Sequence, residues 1–452
     1  MSKLFGTDGV RGIANETLTC ELAMKIGAAG ASVIASGVGR PKILLGCDTR
    51  LSGDMLCAAL VAGICSVGGD VLTAGIVPTP AIAYLVRLYS CDAAVMVSAS
   101  HNTMEYNGIK WFDSNGFKLS DETEERIEKL INDNFAFSRP TGTMVGRQIF
   151  AKKAPIDYMD FLKEACEKDL SGMRIVLDCS NGAASDIAPE LFSQLGATVY
   201  CVSNTPDGCN INQHCGSTHP EQLAMHVAEL GADIGFAFDG DADRVIACDE
   251  YGNIVDGDRL MGICALFMKE NGTLSNNTLV LTVMSNLGLR KAMESAGINV
   301  IETKVGDRYV LEAMLKDGHS IGGEQSGHII FLDKTTTGDG MLSAIMTLNV
   351  IKKSGLSLSK LVSSIPQYPQ VLVNVLVKPE DMQSIMDDPE VHKKVREIEA
   401  ELNGDGRILI RKSGTEPLIR IMLEGRDQYA IELMALSMAN LITERFGGKI
   451  RQ

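Results

Sequence analysis

Asp239, Asp241 and Asp243 alternate within five residues, in the stretch DGDADR between the strand-like runs DIGFAF and RVIACDE. Carboxylates at that density repel one another unless positive charge sits among them, and hard oxygen ligands favour Mg²⁺ or Ca²⁺ over zinc or copper. The spacing matches the first, third and fifth positions of an EF-hand loop, with Glu250 at the twelfth. Arg244 stands where that loop needs glycine, and strands rather than helices flank it, so the EF-hand reading fails and a hard-cation site remains.

Three other polar stretches carry side chains of chemical interest. In SASHN, Ser98, Ser100 and His101 follow the apolar run Ala93-Ala94-Val95-Met96. No G-x-S-x-G pattern surrounds the serines, and hydroxyls at a strand end ordinarily satisfy backbone groups. In GEQSGH, Glu324, Gln325, Ser326 and His328 suit sugar hydroxyls or an amino group. Near the C-terminus Arg411, Lys412, Ser413, Gly414, Thr415 and Arg420 supply cations, hydroxyls and exposed backbone N–H groups, the parts of a phosphate cradle. A serine, a cation site, a polyol-binding loop and a phosphate cradle together match phosphoryl transfer to or from a phosphorylated sugar.

The elements that position these stretches recur. KILLGCDTR, RIVLDCSNG and NTLVLTVMSN each open a run of strand, helix, small-residue turn and strand, followed by a second helix and strand. The loop after that last strand is SASHN in the first run, DGDADR in the second and GEQSGH in the third. Ligands of α/β sheets gather beyond the carboxyl ends of strands, so three equivalent loops are expected to line one central cleft. The fold class is α/β: three related domains with mixed sheets over residues 1–152, 153–251 and 252–366. A smaller α+β domain follows over 367–452, with a strand in YPQVLVNVLV, a charged helix from Glu380 to Leu402, two strands around RKSGT and a closing helix from Gln428 to Phe446. The second acidic pair, Asp256 and Asp258, reads as a turn and helix cap.

With 452 residues, 45% hydrophobic and 22% charged, the chain is expected to fold throughout as several domains. A net charge of −15 argues against a nucleic-acid partner. The stretch Met1-Ser2-Lys3-Leu4-Phe5-Gly6 lacks the apolar run of a signal peptide, and no segment holds the ~20 uninterrupted apolar residues of a membrane span, so the expectation is a cytoplasmic protein with no membrane partner. The twelve cysteines contain no C-x-x-C pair and read as reduced thiols, Cys209 and Cys215 included.

FGTDGVRG, SASHN with NGIK, DGDADR, GEQSGH and RKSGTEPLIR, in that order, resemble the α-D-phosphohexomutase superfamily. The resemblance implies an enzyme, an intramolecular phosphotransferase, that carries phosphoserine at Ser100. Asp239, Asp241, Asp243 and a phosphate oxygen on Ser100 would bind Mg²⁺, and Arg11, His101 and Lys110 would assist with charge or proton transfer. Glu324 and Ser326 match sugar-hydroxyl contacts, and Arg244 and His328 join the substrate-binding set. Arg411, Ser413, Gly414, Thr415 and Arg420 would hold the phosphate that is not being transferred. Gln325, GCNINQHCGST and KVGDRYVLEAM resemble the glucosamine branch. That branch interconverts glucosamine 6-phosphate and glucosamine 1-phosphate through glucosamine 1,6-bisphosphate, or glucose 1,6-bisphosphate as activator, for amino-sugar nucleotide and cell-wall precursor synthesis.

The superfamily tends toward homodimers. Two departures stand beside the resemblance: Thr103 where proline is usual after SASHN, and Tyr106 where aspartate commonly precedes NGIK. Losing proline frees a φ angle, so a less rigid loop is expected. The rival readings are a mutase preferring glucose or mannose phosphates and a noncatalytic sugar-phosphate or Ca²⁺ sensor.

Overall fold

Three times along the chain, two parallel strands are joined through a helix, a third parallel strand docks against the first, and a fourth turns back antiparallel to the third. The computed structural model describes residues 4–6, 8–133, 137–413 and 416–451. In spatial order the first set is Asp70–Ile76, Lys42–Cys47, Ala93–Val97 and Tyr106–Asp113. The second is Thr198–Val202, Arg174–Asp178, Ile234–Phe238 and Val245–Cys248. The third is Asn299–Thr303, Thr278–Thr282, Ile321–Gly323 and Ile329–Phe331. The sheets are therefore mixed, and each of the three polar loops is the turn between the third and fourth strands of its set.

The central strands are apolar on both faces. Ala93–Val97, Ile234–Phe238 and Thr278–Thr282 are buried at every residue, as expected where helices cover both sides of a sheet. Polar residues then begin abruptly where each third strand ends.

The 19-residue helix Cys20–Val38 is long and apolar enough by composition to cross a membrane, although Glu21 and Lys25 interrupt it. Here it packs along the helix Ser52–Ser66 at close range. A Cβ added to Gly27 would lie 2.7 Å from Leu60 O, and one added to Gly63 would lie 2.2 Å from Met24 O. Glycine lets these two backbones approach, which fits a core helix of this domain.

The chain groups into two compact units: one runs to Met284 and includes Gly297–Ser364, and the other joins Ser285–Ala296 to the chain from Ile365 onward. Ser285–Ala296 lies inside the span read from sequence as the third domain, yet its polar groups are satisfied by the C-terminal unit. Asn286 exchanges two hydrogen bonds with the Tyr368 backbone at 2.9 and 3.0 Å, and Leu287 N donates to Glu424 Oε2 at 3.2 Å.

In that second unit a four-stranded antiparallel sheet, ordered Gly406–Lys412, Leu418–Gly425, Gln370–Leu376 and Lys449–Arg451, packs against the closing helix Gln428–Phe446. The single charged helix expected from Glu380 to Leu402 is two helices, Asp381–Met386 and Pro389–Leu402. Pro389 has no N–H to continue the first, and Asp388 Oδ1 caps the second by accepting from Glu390 N and Val391 N at 2.9 and 3.0 Å.

Candidate active site

Past Val97 the chain turns through a loop that its own serines hold in shape. Ser98 Oγ donates to Asp48 Oδ2 at 2.7 Å and accepts from Ser100 N at 2.9 Å, so this hydroxyl is spent on structure. Ser100 adopts a left-handed backbone, φ 52°, a conformation that costs an L-residue roughly 1–2 kcal/mol. Its buried hydroxyl donates to Asp239 Oδ2 at 2.6 Å, with His101 Nδ1 at 3.4 Å. The loop of the first sheet thus meets the acidic loop of the second.

Asp239, Asp241 and Asp243 are all buried, and they present one carboxylate oxygen each within 4.8 Å of one another. Asp241 Oδ1 and Asp243 Oδ1 are buried with no hydrogen-bond partner among the described residues. Unsatisfied anionic oxygens of this kind are costly unless a cation joins them, so the donor set fits a hard divalent ion. Burial, with Asp243 and Asp241 nearby, pushes the Asp239 carboxyl well above its ordinary range. Thr79 Oγ1 and Lys110 Nζ both donate to Asp241 Oδ2, at 2.6 and 3.1 Å.

Cations surround the cluster. Burial opposes the charge on Lys110, but Asp241, Asp8 and Asp243 outweigh it and hold the ammonium above its usual range. Asp8 gathers three cations: Lys118 at 2.9 Å, Lys110 at 3.4 Å and the Arg11 guanidinium. Burial would raise the Asp8 carboxyl, yet Lys110, Lys118 and Arg11 together hold it well below the ordinary range. Arg244 reaches His101 Nδ1 at 3.3 Å. Burial, then the charges of Arg244 and Arg11, bring His101 down to about 4, so its imidazole is neutral near pH 7. His328 Nδ1 lies 3.5 Å from Asp243 Oδ2, while its Nε2 accepts from Gly338 N at 3.0 Å.

Asp8, Arg11, His101, Arg244, Glu324 and His328 border one cleft of about 490 Å³. Glu324 Oε1 accepts from Gly306 N at 3.0 Å, and Ser326 is exposed. Gln325 is tied elsewhere, its Nε2 donating to Asp256 Oδ2 at 3.1 Å while Asp256 Oδ1 caps the helix Gly257–Glu270. Lys118 Nζ bonds Asp8 Oδ1 and Asp307 Oδ2, at 2.9 and 2.7 Å, and so links the first and third sheets' loops.

In the C-terminal unit Arg411 and Arg420 face each other on neighbouring antiparallel strands, and Ser413, buried, closes the strand end by donating its N–H to Leu418 O at 2.8 Å. Gly414 and Thr415 lie outside the described residues.

Arg50 and Asn212 also touch the serine loop, and neither had a role from sequence. Arg50, in CDTR, is a fully buried cation whose guanidinium reaches the loop's carbonyls, and Asn212 Nδ2 donates to Ser100 O and Asn102 O at 2.8 and 2.9 Å. The usable signal was positional: CDTR ends the first strand of the first repeat, on the same sheet edge as SASHN.

Four family models match consecutive segments: the phosphoglucomutase/phosphomannomutase alpha/beta/alpha domains I, II and III over residues 2–136, 156–252 and 256–368, and the C-terminal domain over 372–441. Among curated proteins, the phosphoglucosamine mutase of Thermoanaerobacter sp. (strain X514) is 55% identical over 445 residues, covering 98% of this chain and all of the relative. That of Clostridioides difficile (strain 630) is 54% identical over 446 residues, with the same coverage.

Among solved structures, a phosphoglucomutase/phosphomannomutase family protein from Burkholderia thailandensis shares the fold at TM-score 0.83 and 24% identity, over 100% of this chain and 99% of that one. The Aspergillus fumigatus N-acetylphosphoglucosamine mutase, solved with GlcNAc-6P and magnesium, gives TM-score 0.70 at 17% identity, over 98% and 95%. With its four segments matched in order and full-length relatives above half identity, the chain belongs to the phosphoglucomutase/phosphomannomutase family.

Proposed function

We propose that the protein interconverts glucosamine 6-phosphate and glucosamine 1-phosphate, with Ser100 carrying the phosphoryl group between turnovers. The observation that carries this reading is the 2.6 Å contact between Ser100 Oγ and the buried carboxylate cluster. The choice of amino sugar is supported by phosphoglucosamine mutases about half identical along the whole chain.

In the first half-reaction the sugar O1 hydroxyl attacks the phosphorus on Ser100. The P–Oγ bond breaks, the P–O1 bond forms, the sugar hydroxyl gives up its proton, and Ser100 Oγ takes one. The product held in the cleft is glucosamine 1,6-bisphosphate. After it turns, Ser100 Oγ gives up its proton and attacks the 6-phosphoryl group, the P–Oγ bond forms as the P–O6 bond breaks, O6 takes a proton, and glucosamine 1-phosphate leaves with Ser100 phosphorylated again. No water is consumed, so the cleft must exclude it.

Asp239, Asp241 and Asp243 would hold a divalent cation, which when bound supplies neutralising charge to the transferring group. Lys110, which donates to Asp241, and Arg11, paired with Asp8, add fixed positive charge beside the cluster. Neutral His101, 3.4 Å from Ser100 Oγ, is placed to exchange a proton with it. Glu324 and Ser326 would orient the sugar, with Arg244 and His328 beside them. Arg411, Ser413 and Arg420 would hold a phosphate in the C-terminal unit.

Specificity constants for glucosamine, glucose and mannose 6-phosphates test the reading. The glucosamine substrate is expected to be preferred, and a higher constant for glucose or mannose phosphate would place the chain with the rival mutases.

A further inference from the structure

Arg50 makes a set of contacts that no step above requires. Its side chain is fully buried, and its Nε donates to Asp48 Oδ2 at 2.9 Å. The two terminal nitrogens then fan across the serine loop: one donates to Ser100 O at 2.9 Å and Asn102 O at 2.7 Å, the other to Tyr106 O at 3.1 Å and to Thr103 O. A planar, forked cation can satisfy four carbonyls and a carboxylate at once, which a point charge such as lysine cannot. Asp48 also accepts from Ser98 Oγ, whose oxygen in turn accepts from Ser100 N. Both ends of the Ser100 peptide unit are therefore tied to the Asp48–Arg50 pair.

We propose that Arg50 is a positioning residue that holds Ser100 in its left-handed conformation, aimed at the carboxylate cluster, a role that rests on reading Ser100 as the phosphoryl carrier. The clamp also answers the departure from proline at Thr103. The carbonyls of Thr103 and Tyr106 are both fastened to the guanidinium, so hydrogen bonds supply the loop order that a proline ring would otherwise give. Asn212, in the loop after the second set's strand Thr198–Val202, reinforces it by donating to Ser100 O and Asn102 O. The same short segment is anchored on that side, since Thr49 Oγ1 donates to Asn181 O at 2.6 Å and Leu51 N to Gly208 O at 2.9 Å. Ser100 is thereby fixed relative to the loops that flank Asp239 rather than to its own sheet alone.

The test pairs Arg50→Lys with Asn212→Asp in the full-length protein. Arg50→Lys keeps the charge beside Asp48 but loses the fork; Asn212→Asp keeps the shape but turns two donors into an acceptor facing carbonyls. Misplacement of a reacting group by ~1 Å costs about 10²-fold in rate, so kcat is expected to fall by that order in Arg50→Lys, with KM for the sugar phosphate near the wild-type value. Asn212→Asp is expected to show the same split to a smaller degree, and phosphate on Ser100 should be lost to water faster in both. Should Arg50→Lys fail to fold, Asn212→Asp decides alone. Wild-type kcat in the folded variants, or a fall in kcat that only tracks the fraction unfolded by circular dichroism, overturns the clamp. Phosphate absent from Ser100 in wild-type protein during turnover overturns the carrier reading and the clamp's role with it, whereas phosphate present with unchanged variants overturns the clamp alone.

Discussion

Ser100 Oγ and Asp239 Oδ2, 139 residues apart in sequence, meet at 2.6 Å in a buried hydrogen bond. The hydroxyl is thus docked against three carboxylates whose mutual repulsion the protein only partly offsets, through Lys110, Thr79 and Arg244. A divalent cation should complete that balance. Mg²⁺ is expected to raise the melting temperature, by the equivalent of about 2.7 kcal/mol at ~100-fold excess over its Kd. Asp241→Asn should be at least as stable as wild type without Mg²⁺, lose most of the Mg²⁺-induced shift, and fall about 10²-fold in activity. An undiminished shift in that variant would remove Asp241 from the site.

Asp339 ties the third repeat to the helix Ala154–Ala165. Its Oδ1 accepts from Leu342 N at 2.9 Å, capping Gly340–Ser354, and its Oδ2 accepts from the Tyr158 hydroxyl at 2.8 Å. Burial outweighs these bonds and lifts the carboxyl from 3.8 to about 6. Because the folded value lies above the unfolded one, the stabilising contribution of protonated Asp339 is complete below 3.8 and is lost as pH rises to about 6. Above that window the charged form opposes folding by on the order of 3 kcal/mol. Asp339→Asn is therefore expected to raise stability at about pH 8, with a gain that shrinks as pH is lowered through about 6. Thermal melts across this range check it; a pH-independent change would contradict the assignment.

Arg411 and Arg420 stand directly opposite across the antiparallel pair, an arrangement that is destabilising without an anion. Burial, then the charge of Arg420, lowers Arg411, and Arg420 Nε is buried without a hydrogen-bond partner among the described residues. Inorganic phosphate should stabilise the protein, and Arg420→Met should cancel that effect. The same variant should raise KM for the sugar phosphate about ten- to hundredfold, the scale of hydrogen bonds to a charged group. Phosphate-dependent melts and steady-state kinetics of the one variant test both.

The repeat and its polar loops were readable because strands covered on both faces are nearly uniform apolar runs, against which DGDADR and SASHN stand out at once. Ser98 and Ser100 were separable only by the superfamily resemblance; the structure gives the physical distinction, one hydroxyl bonded to Asp48 and the other to Asp239. Arg50 and Asn212 escaped because nothing in local pattern says that an arginine after a strand is buried, or that an asparagine reaches a loop 110 residues away. The expectation of a looser loop at Thr103 rests on the missing ring alone, and local pattern could not show that a side chain 53 positions earlier donates to the Thr103 carbonyl. The membership of Ser285–Ala296 in the C-terminal unit was equally hidden, since it depends on Glu424 and Tyr368 far along the chain.

Intact-mass measurement with peptide mapping, on wild-type protein and Ser100→Ala during turnover with Mg²⁺ and glucosamine 6-phosphate, tests the central claim most directly. One phosphate on the Ser100 peptide of the wild type, with neither phosphate nor turnover in Ser100→Ala, is the expected result. Turnover by Ser100→Ala, or a catalytically competent phosphate on another residue, would contradict it.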